Sequence, residues 1–424
     1  MDYMIKKCHS IGLAPSSRRS DLTNLIVCDK VTEACVLRKC SLCKTKKIPF
    51  NDELSNDSPI NYPQWVTKTE DRISGKTKKA IQVKVTSKEI VHSTVKEVKD
   101  KFQVLFESFV AHCHRIEKQT CTLREFKGNL TEKDLLVHMD FSENYACKYG
   151  TEPQSVHFGA SRQMLTLHTG LVYSKNFSRG FVTLSESLRH DAPAVIAHLK
   201  PVLDEVLTNE KVEDIHFLSD GPSAQYRNKT MFYLLATYLT DLYPQIKSII
   251  YNYSEAGHGK GAADGIGGTT KRILDSCVAH GQDIQNFHAA VTTLKEHCKK
   301  LIIHKKNEHN IATVDESVPL AMTAFPGTMK VHQFKWTRDR PKLLRFNSIS
   351  CCTCSVADVC THYAIGEKVL ETETRAKKTP HSRKAPAPVD APASSTPKKA
   401  RNCKQAPKRK TAAAPKGAKR AKRS

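Results

Sequence analysis

The sequence predicts a mixed α/β fold, a mixed sheet flanked by helices. Three observations predict it. Near residue 134 the apolar spacing changes from three- and four-residue steps to short continuous runs. Three strand-like runs then follow one another. After them, strand and helix patterns alternate to about residue 303, which places helices on the faces of one sheet.

The elements follow in order. Residues 1–60 are rich in Cys and lack clear periodicity, and 51–63 ("NDELSNDSPINYP") reads as a loop or linker. From Thr86 to about Asn129 the spacing predicts a helical segment, 86–130. Val95, Val98, Phe102, Leu105, Phe106, Phe109, Val110 and Cys113 form one apolar stripe, and Gly128 marks the end. Within it Cys113 is expected in the core and His112 and His114 outside. The core, 131–303, opens with strands at 134–145, 163–174 and 179–188. A helix at 191–209 is started by an Asp cap and a first-turn Pro. A strand at 213–221, a helix at 224–243, a strand at 247–257 and helices at 265–281 and 284–302 complete it. Residues 329–351 suggest a small β unit inside a Cys-rich extension, 304–374.

Composition limits the function. The 424 residues carry a formal charge of +24. Between Arg375 and Ser424 stand 17 of the 67 Lys and Arg, against one acid, Asp390. This Ala-, Pro- and Lys-rich tail has too few large apolar side chains to offset the entropy of ordering, so it is expected to be disordered. Such a tail suits polyanions, bound through counterion release. "PKRK" and "AKRAKR" resemble nuclear-import clusters, so a nuclear location and DNA as partner are expected. No apolar run reaches the roughly 18 residues of a membrane span, and no signal peptide is evident, so an intracellular protein without membrane contact is expected.

Two cysteine clusters stand out: Cys28, Cys35, Cys40 and Cys43, and Cys351, Cys352, Cys354 and Cys360 with His362. Cys40-x2-Cys43 and Cys351-x2-Cys354 each have the spacing of half a zinc knuckle. The six-residue gap between Cys28 and Cys35 is irregular, so structural Zn²⁺ and a set of reduced, partly buried thiols both remain open.

Three acids recur at strand ends: Asp140 in the first strand, Asp220 after the fourth and Asp264 after the fifth. An unpaired Asp in an apolar strand is costly to bury, and a divalent cation offsets that cost. Oxygen ligands suit Mg²⁺ or Mn²⁺. The glycine-rich stretch "SEAGHGKGAADGIGG" fits neither the P-loop pattern nor the dinucleotide pattern, which argues against a nucleotide-binding ATPase. Its glycines instead let backbone come close to a polyanion.

Together "DFSENY", "SDGPSAQYRNK" and "GHGKGAADGIGGTTKR" give roughly residues 90–345 a resemblance to DDE/D transposases and integrases of the ribonuclease-H-like fold, including transposase-derived proteins of animal genomes. The resemblance implies metal-dependent phosphodiester cleavage and strand transfer, with Asp140, Asp220 and Asp264 binding Mg²⁺ or Mn²⁺. Glu255, 35 residues after Asp220, is the alternative third acid. His258, Lys260, Lys271, Arg272, Gln225, Arg227 and Lys229 are candidate phosphate contacts; the plain alternative is a solvated basic face for the lysines and arginines and a satisfied loop histidine for His258. Transposases generally act as multimers, so a homo-oligomer is expected. The competing function is a domesticated or decayed relative that binds DNA or chromatin without catalysis.

Overall fold

A computed structural model describes residues 1–73, 80–151, 162–259 and 261–370, all within one unit, Met1–Glu373. The basic tail, 375–424, lies outside the described residues.

Three short helices, α1 (Asp2–Ser10), α2 (Arg19–Ile26) and α3 (Glu33–Val36), precede a long antiparallel ribbon of β1 (Pro59–Ile73) and β2 (Ala80–Thr94). Residues 59–63 are therefore strand rather than linker, and Thr86–Thr94 is strand rather than helix. The cause is visible in "AIQVKVTSKEIVHST", where β-branched residues alternate with polar ones at period two. The predicted helix starts only at α4 (Val95–Gly128), behind a capping box. Thr94 accepts from the Glu97 amide at 3.3 Å and Glu97 accepts from the Thr94 amide at 3.0 Å.

At 34 residues α4 is about 50 Å long. Its first half buries Val95, Val98, Phe102, Phe106 and Val110 with Ile5, Leu13, Leu22, Ile26, Ile60 and Tyr62 in an N-terminal core. Its second half lies on the main sheet, where Phe126 packs on His216 with ring centroids 3.9 Å apart. The helix joins the two cores as a spine.

The main sheet has nine strands among the described residues, in the order β11-β10-β9-β7-β6-β3-β4-β5-β8. They are β3 (Asp134–Ala146), β4 (Met164–Tyr173), β5 (Ser178–Ser185), β6 (Asp214–Ser219), β7 (Ser248–Tyr253), β8 (Ile302–Lys306), β9 (Gln333–Thr337), β10 (Leu343–Asn347) and β11 (Ala364–Val369). The meander β3-β4-β5 is antiparallel, while β6 runs parallel to β3 and β7 parallel to β6. Counted from β3, the five core strands stand in the order 3-2-1-4-5, the mixed ribonuclease-H-like sheet. Residues 329–351 are not a separate unit, because β9 pairs with β7 and carries β10 and β11 onto the same sheet. β8, of which only Ile302 falls within the expected helix 284–302, pairs parallel with β5 at the other edge.

Helix α5 (Ala192–Leu207), capped by Asp191, packs one face with α6 (Lys229–Ala236) and α7 (Tyr238–Leu242). Leu135, Val137 and Met139 of β3 point into that core with Val195, Leu199 and Phe217. Helices α8 (Ala262–Ala279) and α9 (Phe287–His297) cover Leu165, Leu167, Val182 and Leu184 on the other face. A further helix, α10 (Glu308–Asp315), packs against α5. Alternation along β3 therefore sends His138, Asp140 and Ser142 to the face that carries α8. No helix among the described residues is long and apolar enough to cross a membrane.

Candidate functional site

The sheet register brings two of the predicted acids together. His138 pairs with Leu218 in the parallel ladder. Two residues on, β3 continues through Asp140 while β6 has ended and Asp220 opens its following loop, close enough for the Asp220 charge to raise the Asp140 carboxyl. Asp264 comes from the first turn of α8, and that turn is held against the same place. Thr169, directly across from Asp140 on β4, donates to the Ala263 carbonyl at 3.1 Å and to the Asp140 carbonyl at 3.4 Å. One Asp264 oxygen, Oδ2, accepts from the Gly261 amide at 2.8 Å, so the residue also caps its helix.

The glycines before α8 are required by close approach. A Cβ on Gly259 would lie 2.6 Å from the Asp220 Cβ, and one on Gly261 would lie 2.7 Å from the His138 ring. Any side chain at either position would push the loop away from the acids.

The charges at this point are only partly compensated. Burial raises the Asp140 carboxyl to about 7, and the like charges of Asp220 and Asp264 add to the shift. Asp220 is also raised, by burial and then by Asp264, with Arg227 opposing. Asp220 Oδ1 is buried and has no hydrogen-bond partner. Burial drops His138 to about 4, with Lys127 adding, so the imidazole is neutral at pH 7. An orphaned carboxylate oxygen beside a second carboxyl whose charged form is disfavoured fits a hard divalent cation. The three acids do not converge as tightly as a closed site. Among the described residues, the groups whose ligand atoms all fall within 4.8 Å of one another are two cysteine sets instead.

Glu255 occupies a different environment. It is 7% exposed and meets His332 at 2.7 Å, His112 at 2.8 Å and Arg115 at 2.9 Å, while its amide donates to Gln119 Oε1 at 3.0 Å. Its carboxyl is held far below the ordinary range: burial opposes this, but hydrogen bonds from His332, Arg115 and His112 outweigh it. Glu255 thus ties the loop after β7 to α4 and to the start of β9. His112 is consequently not the exposed histidine expected, nor does Cys113 reach the buried class. The partners of Glu255 lie 77 to 143 residues away in sequence, and no local pattern announces them.

The expected phosphate contacts divide. His258 is exposed and its ring is tilted at 56° to that of His112, centroids 5.3 Å apart, at a cleft of about 180 Å³ shared with His138, Gly259 and Glu255. Gln225 is half-buried on the loop after Asp220. Arg227 is 9% exposed, donates to the Val331 carbonyl at 3.1 Å and faces Asp220 from below, so it sets local charge rather than reaching out. Lys229 is anchored on the Met322 carbonyl at 2.7 Å, away from the acids. Lys271 reaches the Glu143 carbonyl at 3.4 Å, and exposed Arg272 reaches Thr269 Oγ1 at 3.2 Å. Lys260 lies outside the described residues.

Both cysteine clusters close in space. Cys28, Cys35, Cys40 and Cys43 form one set, and Cys351, Cys354, Cys360 and His362 the other. Cys28 Sγ and Cys40 Sγ are 3.8 Å apart, matching the edge of about 3.8 Å of a tetrahedron with 2.3 Å zinc–sulfur bonds. Hydrogen bonds from Thr32 lower Cys35 to about 6, and hydrogen bonds from Thr361 lower Cys354 to about 6. Each set could hold a zinc ion. Cys352, also named in the second cluster, stands outside its ligand set and contacts α4 instead, its Sγ 4.0 Å from the Thr122 carbonyl. The two sets are bridged: Tyr363 donates to Glu33 Oε2 at 3.0 Å, two residues before Cys35.

Residues 119–348 match a family model described as a domain of unknown function (DUF8701), and at more than half of the chain this match shows that the chain belongs to that family. The matched span runs from the sheet-packed half of α4 to just past β10 and contains all three acids and Glu255. No curated protein and no solved structure matches the chain.

Proposed function

We propose that the protein is a nuclear, transposase-like enzyme that cleaves and rejoins DNA phosphodiesters at Asp140, Asp220 and Asp264. One observation carries this reading. The ribonuclease-H-like sheet brings Asp140 and Asp220 close enough for their charges to interact, with no ion-pair partner among the described residues and with a buried, unbonded Asp220 oxygen. Asp140 and Asp220 are the residues that would hold Mg²⁺ or Mn²⁺, and Asp264 would complete the set with the oxygen its helix cap leaves free. When bound there, the ion would supply positive charge to the phosphodiester and acidify the attacking hydroxyl.

The chain's own groups do the rest. Thr169 fixes the helix that carries Asp264 relative to the strand that carries Asp140. His138, neutral at pH 7, offers a hydrogen-bonding nitrogen beside the acids without adding a competing cation. Arg227 limits the repulsion at Asp220 from below. The glycines at 259 and 261 leave backbone, not side chains, facing the acids. Glu255 is not used as the third acid here, because its oxygens already serve two histidines and an arginine.

Purified protein incubated with supercoiled plasmid and Mg²⁺ or Mn²⁺ tests this. Nicking is expected from the parent chain and from neither Asp140→Ala nor Asp220→Ala. Equal nicking by all three, or DNA binding without nicking by any, would leave the non-catalytic DNA-binding reading.

A further inference from the structure

The β1–β2 ribbon belongs to neither core beyond its base. Ile60 and Tyr62 anchor it in the N-terminal core, and Lys101 of α4 grips it through Tyr62 Oη at 3.0 Å and Gln64 Oε1 at 2.6 Å. From there two 15-residue strands run about 50 Å, exposed over most of their length.

Its two faces differ in charge. The register pairs Val66 with Ser87, Lys68 with Val85, Glu70 with Val83 and Arg72 with Ile81 on one face. On that face the charges neutralise one another, Lys68 with Glu89 at 2.6 Å and Arg72 with Glu70 at 2.9 Å. The other face pairs Trp65 with Lys88, Thr67 with Thr86 and Thr69 with Lys84. Lys84 and Lys88 have no carboxylate partner among the described residues, and the one acid on that side, Asp71, lies toward the far end. Trp65, across from Lys88, is 67% exposed, and between the two lysines Thr67 and Thr86 bond each other at 2.9 Å. The face thus combines unpaired cations, hydroxyls and one open aromatic ring.

We propose that this face of the ribbon is a DNA-gripping arm that binds duplex DNA. A two-stranded ribbon fits the major groove of B-form DNA, lysines and hydroxyls suit its phosphates, and an exposed indole suits sugar or base edges. The arm joins α4 at Val95, and His112 of the same helix touches the Glu255 cluster about 25 Å further along. The inference rests on the reading that the protein acts on DNA.

The chain contains its own reporter, because its second tryptophan, Trp336, is 1% exposed. A duplex of about three helical turns is titrated into the full-length protein. Tryptophan emission and the anisotropy of a labelled duplex are followed together over a range of salt concentrations. Binding is expected to quench and blue-shift the emission, and Trp65→Phe is expected to abolish that change while binding persists through the basic tail. The double variant Lys84→Gln/Lys88→Gln is expected to lose the emission change and to lower the slope of log K against log salt by about 1.8, from about 0.9 per phosphate contact. Lys68→Gln/Glu89→Gln, on the opposite face, is expected to leave both unchanged. Binding without an emission change, an unaltered slope in the Lys84/Lys88 variant, or an equal emission change with polyglutamate or on self-association without DNA overturns the proposal. Plasmid nicking is scored on the same preparations. Lost nicking with an intact Trp65 response condemns the proposed chemistry and not the arm, and nicking without the response condemns the arm alone.

Discussion

Removing the negative charge at Asp140 should stabilise the metal-free protein above neutral pH. Burial and the neighbouring acids raise its carboxyl from the ordinary 3.8 to about 7. Below about pH 4 the group is protonated in both folded and unfolded chains and costs nothing. Between about pH 4 and 7 only the unfolded chain ionises, so stability falls as pH rises, and above 7 the loss is constant. Three pKa units at 1.36 kcal/mol each set an upper bound of about 4 kcal/mol. Asp140 is only part-buried, and screening by solvent reduces this to about 2 kcal/mol. Asp140→Asn escapes the loss, so at pH 8 without metal it should melt about 4 °C above the parent, and at pH 4 level with it. Saturating Mg²⁺ should reverse the order, since ligand at a hundred times its Kd adds about 2.7 kcal/mol to the parent and far less to the variant. Thermal melts at pH 4 and 8, with EDTA and with MgCl₂, check all four conditions. A variant that melts below the parent at pH 8 in EDTA, or an equal Mg²⁺ response in both proteins, would refute the claim that these acids form an only partly compensated cation site.

Other expectations follow from the same contacts. Glu255→Gln should destabilise the fold by about 3 kcal/mol by leaving Arg115 and His332 without their counter-charge, seen in chemical denaturation, whereas Asp264→Asn should leave stability nearly unchanged and abolish plasmid nicking. The depressed Glu255 carboxyl contributes stability above its ordinary 4.5 that is lost as pH falls, so the gap between parent and Glu255→Gln should shrink in acid. Two zinc ions per chain are expected by elemental analysis, with Cys354→Ser retaining one. Gly170→Ala should fold poorly, judged by soluble yield and near-ultraviolet circular dichroism, because its Cβ would stand 2.2 Å from the His138 carbonyl oxygen and 2.6 Å from the Phe181 ring.

The legible parts of the sequence were those in which local pattern and tertiary role agree. The five core strands are short apolar runs because helices cover both sides, and Asp140 and Asp220 stood out as acids that an apolar strand or strand end does not otherwise tolerate. The cysteine clusters were legible too, but the six-residue gap after Cys28 hid how α3 folds back to close the set. Pairings over long separations were not legible. Nothing local in "MKVHQFKW" says that Ile250 will take Lys335 as its partner across the sheet. The ribbon was missed for the opposite reason: its alternation was present, but the apolar stripe of α4 beside it dominated the reading of residues 86–94.

The choice between Glu255 and Asp264 shows what structure adds to spacing. Distance along the chain favours neither decisively, since both acids follow β7 within a glycine-rich segment. What separates them is the state of their charge. Glu255 sits where three donors reach it, and a cation placed there would compete with an arginine and two histidines that already hold the carboxylate in its ionised form. Asp264 gives one oxygen to a backbone amide and adds its field to two carboxyls that only Arg227, at Asp220, partly offsets, raising both. A group that worsens the repulsion at a site belongs there only if something positive joins it. Glu255 then has a separate task, which its position explains. By fixing the loop to α4 and to His332, it holds the start of the glycine stretch still, so that Gly259 and Gly261 can press backbone against Asp220 and His138. On the proposed reading, one acid anchors the loop and the other completes the site that the loop delivers.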